Sequence, residues 1–73
     1  ILGGENVYPR EVEEVIYTLP EVLECAVVGV EDSLRGQAVC AFIVLKEGME
    51  GDKKAIRKYL LDHLALYKVP RHY

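Results

Sequence analysis

A chain of 73 residues has room for one small domain, and at that size folding hides only about 60% of the surface that the unfolded chain exposes, so its stability should be modest. With 51% hydrophobic and 29% charged residues the composition is that of a globular protein. A net charge of −3 excludes a general attraction to nucleic acid or an anionic membrane, and makes any anion site a local affair. No apolar run approaches the roughly 20 residues of a membrane span, and no charged-then-apolar leader opens the chain, which reads as soluble, intracellular and cytoplasmic.

Residues 1–8 are rich in turn formers, and Gly3, Gly4, Glu5 and Asn6 should make a tight loop, because adjacent glycines tolerate positive φ. A helix is expected to begin at Pro9, whose missing N–H costs nothing at a first helical position, and to stop at Pro20. Glu11, Glu13 and Glu14 set negative charge against the positive end of its dipole, and Val12, Val15, Ile16 and Leu19 form an apolar stripe at helical spacing. Residues 22–30, V-L-E-C-A-V-V-G-V, read as a strand with much of both faces covered and Glu24 at its exposed beginning. The polar stretch 31–37 carries Gly36 as a connection to a second strand over residues 38–45, and a hairpin is the simplest pairing.

Residues 46–51 turn the chain, and Asp52 can cap a second helix whose Ile56, Leu60, Leu61 and Leu64 make another stripe. Residues 67–73 should leave it as extended chain, with Arg71, His72 and Tyr73 forming the start of a further strand that the sequence cuts short. The layout is α+β, one domain over residues 1–73 with two helices packed on a small sheet and a truncated final strand.

Self-sufficient catalytic chemistry is not visible. His63 and His72 have no Ser or Cys at a signature spacing and read as solvated surface residues, and the acidic first helix is explained by its dipole rather than by a metal. Cys25 and Cys40 sit inside apolar runs without zinc or redox spacing, so buried free thiols are expected and a disulfide is the alternative. Gly3 and Gly4 permit either a tight turn or the close passage of a ligand, and as a lone pair they fall well short of a phosphate-loop or dinucleotide fingerprint.

Three stretches carry a resemblance. G-G-E-N-V-Y-P-R-E-V-E (residues 3–13) resembles the hinge-proximal motif of the adenylate-forming enzymes, the superfamily of acyl- and aryl-CoA synthetases, peptide-synthetase adenylation domains and luciferases. A-V-V-G-V-E-D-S-L-R-G-Q (26–37) resembles the second motif of their C-terminal lid, and L-A-L-Y-K-V-P-R-H-Y (64–73) the segment leading towards their catalytic lysine. Glu31 and Gln37 stand where many relatives carry proline and glutamate, and the glycine-lysine motif that would follow Tyr73 is absent.

The resemblance implies a lid domain, closest to those of fatty or aryl acyl-CoA ligases. Such enzymes form acyl-CoA from a carboxylic acid, ATP with magnesium, and CoA. They pass through an acyl-adenylate, made by a large N-terminal domain, and the lid then rotates to present the face used in the thioester step. By resemblance, Gly3, Gly4 and Glu5 border the pantetheine path, while Arg35, Tyr67, Lys68 and Arg71 face the nucleotide end of CoA. Stacking of an aromatic ring or guanidinium on adenine and cationic contacts to phosphate are the chemistry those residues offer. No catalytic residue and no metal ligand is expected in this chain, which alone should be inactive and free of cofactor. A carrier protein in place of CoA is the nearer alternative, a freestanding regulatory or interaction module the more distant one. An unpaired sheet edge would favour self-association.

Overall fold

The computed structural model describes residues 7–73, and the expected loop at Gly3, Gly4, Glu5 and Asn6 lies outside the described residues. The elements run α1 (Pro9–Ile16), β1 (Val22–Asp32), β2 (Gly36–Leu45), α2 (Lys53–His63) and a 3-10 turn (Leu66–Lys68). β1 and β2 pair antiparallel, and Val12 and Ile16 of α1 join Ile56 and Leu60 of α2 in one core with Val22, Val27, Val39 and Ala41 of the sheet. The fold is therefore α+β, as the patterning requires.

Helix α1 starts with Pro9 at its first turn and ends at Ile16, short of Pro20. Proline disfavours helical backbone at the residue before it, so the chain unwinds through i to i+3 bonds. Thr18 N–H donates to Val15 O at 3.1 Å and Leu19 N–H to Ile16 O at 3.0 Å. Leu19 nevertheless reaches the core from this turn. Of the three acids expected to complement the dipole only Glu11 lies in the first turn; Glu13 lies past it and has a different part, its Oε2 accepting from Val27 N–H at 2.9 Å, while Tyr17 Oη accepts from Cys25 N–H at 3.1 Å. Two side chains of the α1 segment thus occupy N–H groups on the open edge of β1, a standard way of blunting an edge strand.

Both strands are longer than the sequence suggests, because β-pairing continues through Glu31 and Gln37 to Asp32 opposite Gly36. The expectation that β1 is covered on both faces is corrected by its exposure. Cys25 and Val27, with Ala41 and Ile43 opposite, face the core, whereas Val28, Phe42 and Val44 lie on the other face and are 39%, 59% and 52% exposed. An apolar, β-branched run is compatible with cover on much of both faces, but such residues also serve a strand with one face on a core. A bulge between Val22 and Glu24 leaves Leu23 exposed as well. Cys25 and Cys40 fall on opposite faces by their registers, and both are free thiols, so the disulfide alternative is out.

Asp52 caps α2 as expected, its Oδ1 accepting from Lys54 N–H at 3.0 Å. Ile56 and Leu60 are buried and Leu64 packs against the core, while Leu61 stays 38% exposed. At the far end His63 Nδ1 lies 2.7 Å from Tyr59 O and its ring stacks on Tyr59, whose hydroxyl meets Thr18 Oγ1 at 2.6 Å and so ties α2 to the turn that follows α1. The tail is not extended throughout: residues 66–68 make one 3-10 turn, and extended chain follows from Val69. Val69 and Pro70 are buried, and Arg71 N–H donates to Val39 O at 2.9 Å while Ala41 N–H donates to His72 O at 2.8 Å. These bonds make a parallel bridge between His72 and Cys40, which is the strand start expected at Arg71, His72 and Tyr73.

Candidate functional site

The hairpin tip is a three-residue loop, Ser33, Leu34 and Arg35, closed by Gly36 at φ +79°, a left-handed conformation that an L side chain resists. Asp32 organises it. Its Oδ1 accepts from Leu34 N–H at 2.9 Å and Arg35 N–H at 3.0 Å, and lies 3.5 Å from Arg35 Nη1. Its Oδ2 lies 3.5 Å from His72 Nε2. The Leu34 N–H, foremost among these partners, holds the Asp32 carboxyl below the ordinary carboxylate range. Arg35 is thereby fixed at its backbone, with a guanidinium still 41% exposed. His72, read from sequence as a solvated residue, is 51% exposed and also the link between this tip and the last strand.

A second group forms where α1 begins. Lys68 Nζ donates to Glu11 Oε2 at 3.1 Å and sits 5.6 Å from the centre of the Tyr67 ring. The hydrogen bond to Glu11, chiefly, raises the Lys68 pKa above its usual value, so the amine is cationic across the physiological range but already has a carboxylate partner. Tyr67 remains 48% exposed, a ring that an incoming base can reach.

The residues singled out in the sequence therefore fall into two groups joined along the chain by the stretch 68–72: Arg35 joins Asp32 and His72, Lys68 joins Tyr67 and Glu11, and Arg71 precedes the parallel bridge at His72. Gly3, Gly4 and Glu5 lie outside the described residues. Asp32 and Glu11 were missed by sequence reasoning. Asp32 had a readable signal, since an Asp three residues before an Arg-Gly is a side-chain turn former; Glu11 had none, because Lys68 lies 57 residues away in sequence.

Cys25 is a poor nucleophile, since burial and then the nearby Glu13 carboxylate push its thiol pKa up. The described residues contain no group of three or more His, Cys, Asp or Glu able to hold a metal, and none of their helices is long and apolar enough to cross a membrane.

The described residues thus form a small α+β domain with an Asp32-anchored Arg35 at a hairpin tip and a half-exposed Tyr67 beside Lys68. Residues 11–73 match the family described as the AMP-binding enzyme C-terminal domain, and the chain belongs to that family. It is 50% identical over 72 residues to a mitochondrial medium-chain acyl-CoA ligase of Danio rerio, covering 99% of this chain and 12% of that protein. It is also 48% identical over 73 residues to a long-chain-fatty-acid–CoA ligase of Bacillus subtilis (strain 168), covering 100% of this chain and 13% of that protein.

Among solved structures, ATP-bound MatB from Rhodopseudomonas palustris matches 94% of this chain and 14% of its own at a TM-score of 0.88 and 39% identity. The amide bond synthetase McbA from Marinactinospora thermotolerans matches 90% of this chain and 13% of its own at 0.84 and 44%. The chain thus spans about one-eighth of the length of the relatives it matches.

Proposed function

We propose that this chain is the lid portion of an acyl-CoA ligase, contributing the CoA-facing surface of the thioester step in an enzyme that joins a carboxylic acid to CoA through an acyl-adenylate. The observation that carries this reading is the likeness of 99% and 100% of the chain to two acyl-CoA ligases, at 50% and 48% identity. In this reading a large ATP-binding domain accompanies the lid in the parent protein, and magnesium travels with ATP in that domain. Gly3 and Gly4 leave backbone without side chains beside the pantetheine path, with Glu5 next to it. Arg35 and Tyr67 flank the adenine, and Lys68 and Arg71 lend charge to the phosphates, Lys68 by exchanging its Glu11 partner for the ligand.

Two free thiols on opposite sheet faces suit a reducing compartment, and the cytoplasm is the proposed location. Among the described residues β2 has no strand partner on its outer edge beyond the bridge at Cys40, and that edge is where self-association of the chain would start.

The test is Gly4→Leu in the full-length parent. A branched side chain in the path should lower acyl transfer from preformed adenylate to CoA by on the order of tenfold or more while leaving ATP–pyrophosphate exchange near wild type, because this face meets the active site only after adenylation. Equal losses in both half-reactions would refute the assignment. A second acceptor class is favoured by the likeness to an amide bond synthetase: an amine in place of CoA. Product analysis with each acceptor separates the two.

A further inference from the structure

The opposite end of α2 from Tyr67 carries charges that stability alone does not explain. Lys53 and Lys54 occupy its first turn and Arg57 the next, with no acidic residue in that first turn. Cations there oppose the helix dipole, and Lys53 with Arg57 at i, i+4 is a like-charge pair, so each placement is locally unfavourable. Across from them Arg71 arrives on the parallel strand. The five basic residues Lys53, Lys54, Arg57, Arg71 and His72, together with Tyr73, line one open groove of about 330 Å³.

Among the described residues none of Lys53, Lys54, Arg57 and Arg71 makes an ion pair with a carboxylate. Asp32 reaches the groove's rim through His72, at 3.5 Å, but its oxygens are already engaged by the hairpin tip. The Tyr73 hydroxyl is buried without a hydrogen-bond partner, and burial pushes its pKa up to about 12, so it adds no negative charge to the groove at neutral pH. In a chain of net charge −3, four cations that make no ion pair among the described residues are gathered from two elements into one concavity, with Asp52 at the start of α2 the neighbouring acid.

We propose that this groove is a binding site for an anion carrying two or more phosphoryl groups, with Lys53, Lys54, Arg57 and Arg71 as its ligands. The chemistry favours phosphate over a single carboxylate. Two guanidinium forks offer paired donors to phosphoryl oxygens, and two ammonium groups supply point charge to a centre carrying more than one negative charge. At about 30 Å³ per water the volume holds on the order of ten waters, ample for an inorganic diphosphate with part of its hydration shell. The groove adjoins the Arg35 tip through His72 and shares Arg71 with the residues assigned to CoA, but Lys53, Lys54 and Arg57 lie outside that assignment, so the proposal does not depend on the acceptor reading above.

The experiment is a titration of the 73-residue chain with inorganic pyrophosphate and, separately, with CoA, followed by amide NMR shifts and by melting temperature. A saturable response confined to residues 53–57 and 71–73 is expected with pyrophosphate, with a rise in melting temperature. The triple variant Lys53→Gln, Lys54→Gln, Arg57→Gln should weaken it at least tenfold. A response of these same residues to CoA but not to pyrophosphate would assign the phosphates to a nucleotide. Shifts that never saturate, melting temperatures unmoved by either ligand, a variant that binds as well as wild type, or binding of an acidic peptide in preference to both phosphates would each overturn the proposal.

Discussion

The two helices begin in opposite ways. α1 opens on Pro9 without a side-chain cap and places Glu11 in its first turn, where the dipole favours it, while Glu13 and Glu14, expected to serve the same end, lie beyond that turn. α2 opens on a capping Asp52 and then places Lys53 and Lys54 in its first turn, where the dipole opposes them, with Arg57 one turn on. The acidic residues of α1 are also put to structural use, Glu13 on the edge of β1 and Glu11 on Lys68. The side-chain cations of Lys53, Lys54 and Arg57 make no ion pair among the described residues and line a groove instead. The acid that agrees with the helix dipole, Glu11, is found pairing with Lys68, whereas the lysines that oppose it, Lys53 and Lys54, make no ion pair among the described residues.

If the helices are held chiefly by their apolar stripes, the electrostatic contrast should be minor beside the core. Leu60→Ala removes a fully buried side chain of α2 and should destabilise the domain by roughly 2–5 kcal/mol, and Ile16→Ala in α1 should cost a similar amount. In a domain this small either loss consumes much of the total stability, and chemical denaturation followed by circular dichroism would measure it. A cost well below 1 kcal/mol at either site would mean that the core relaxes around the cavity and that packing does not dominate.

A smaller effect separates the two helix starts directly. Asp52→Ala deletes the cap on Lys54 N–H and should cost about 1 kcal/mol, whereas Tyr8→Ala at the start of α1 removes no capping bond. Because Asp52 is also an acid beside the uncompensated lysines, its loss should hurt more at low salt than at high salt, and equal costs at both would remove the electrostatic part of the comparison.

The smallest and most diagnostic effect is alkaline titration. Lys68, at the acidic start of α1, has its pKa raised above 10.5, so the stability from its pairing with Glu11 is fully present below that value and lost as pH climbs through the folded-state value. Tyr73, beside the basic start of α2, is raised from 10.0 to about 12, so its neutral form favours folding below pH 10 and that contribution disappears between pH 10 and 12. Stability should therefore decline over this alkaline window through both ends. Lys68→Gln should remove only the share belonging to α1, and an unaltered alkaline profile in that variant would show that the ion pair contributes nothing.

The elements themselves were legible in the residues, since Pro9, Asp52 and Gly36 act through their own backbone chemistry and the stripes of Val12, Ile16, Ile56 and Leu60 need only helical spacing. The three motifs likewise carry the family, which residues 11–73 match. What spacing could not supply was everything that joins residues distant in sequence. The tail's pairing with β2, the Glu11–Lys68 contact, the Asp32–His72 link and the groove formed by α2 with Arg71 all depend on the three-dimensional route of the chain. The open sheet face belongs with them, because a β-branched run specifies a strand but not how many of its faces a 73-residue chain can cover. Local conformation follows from each residue's own sterics and hydrogen-bonding groups, whereas the meeting of charges across 40 or 57 residues is decided only when the core forms and fixes the elements that carry them.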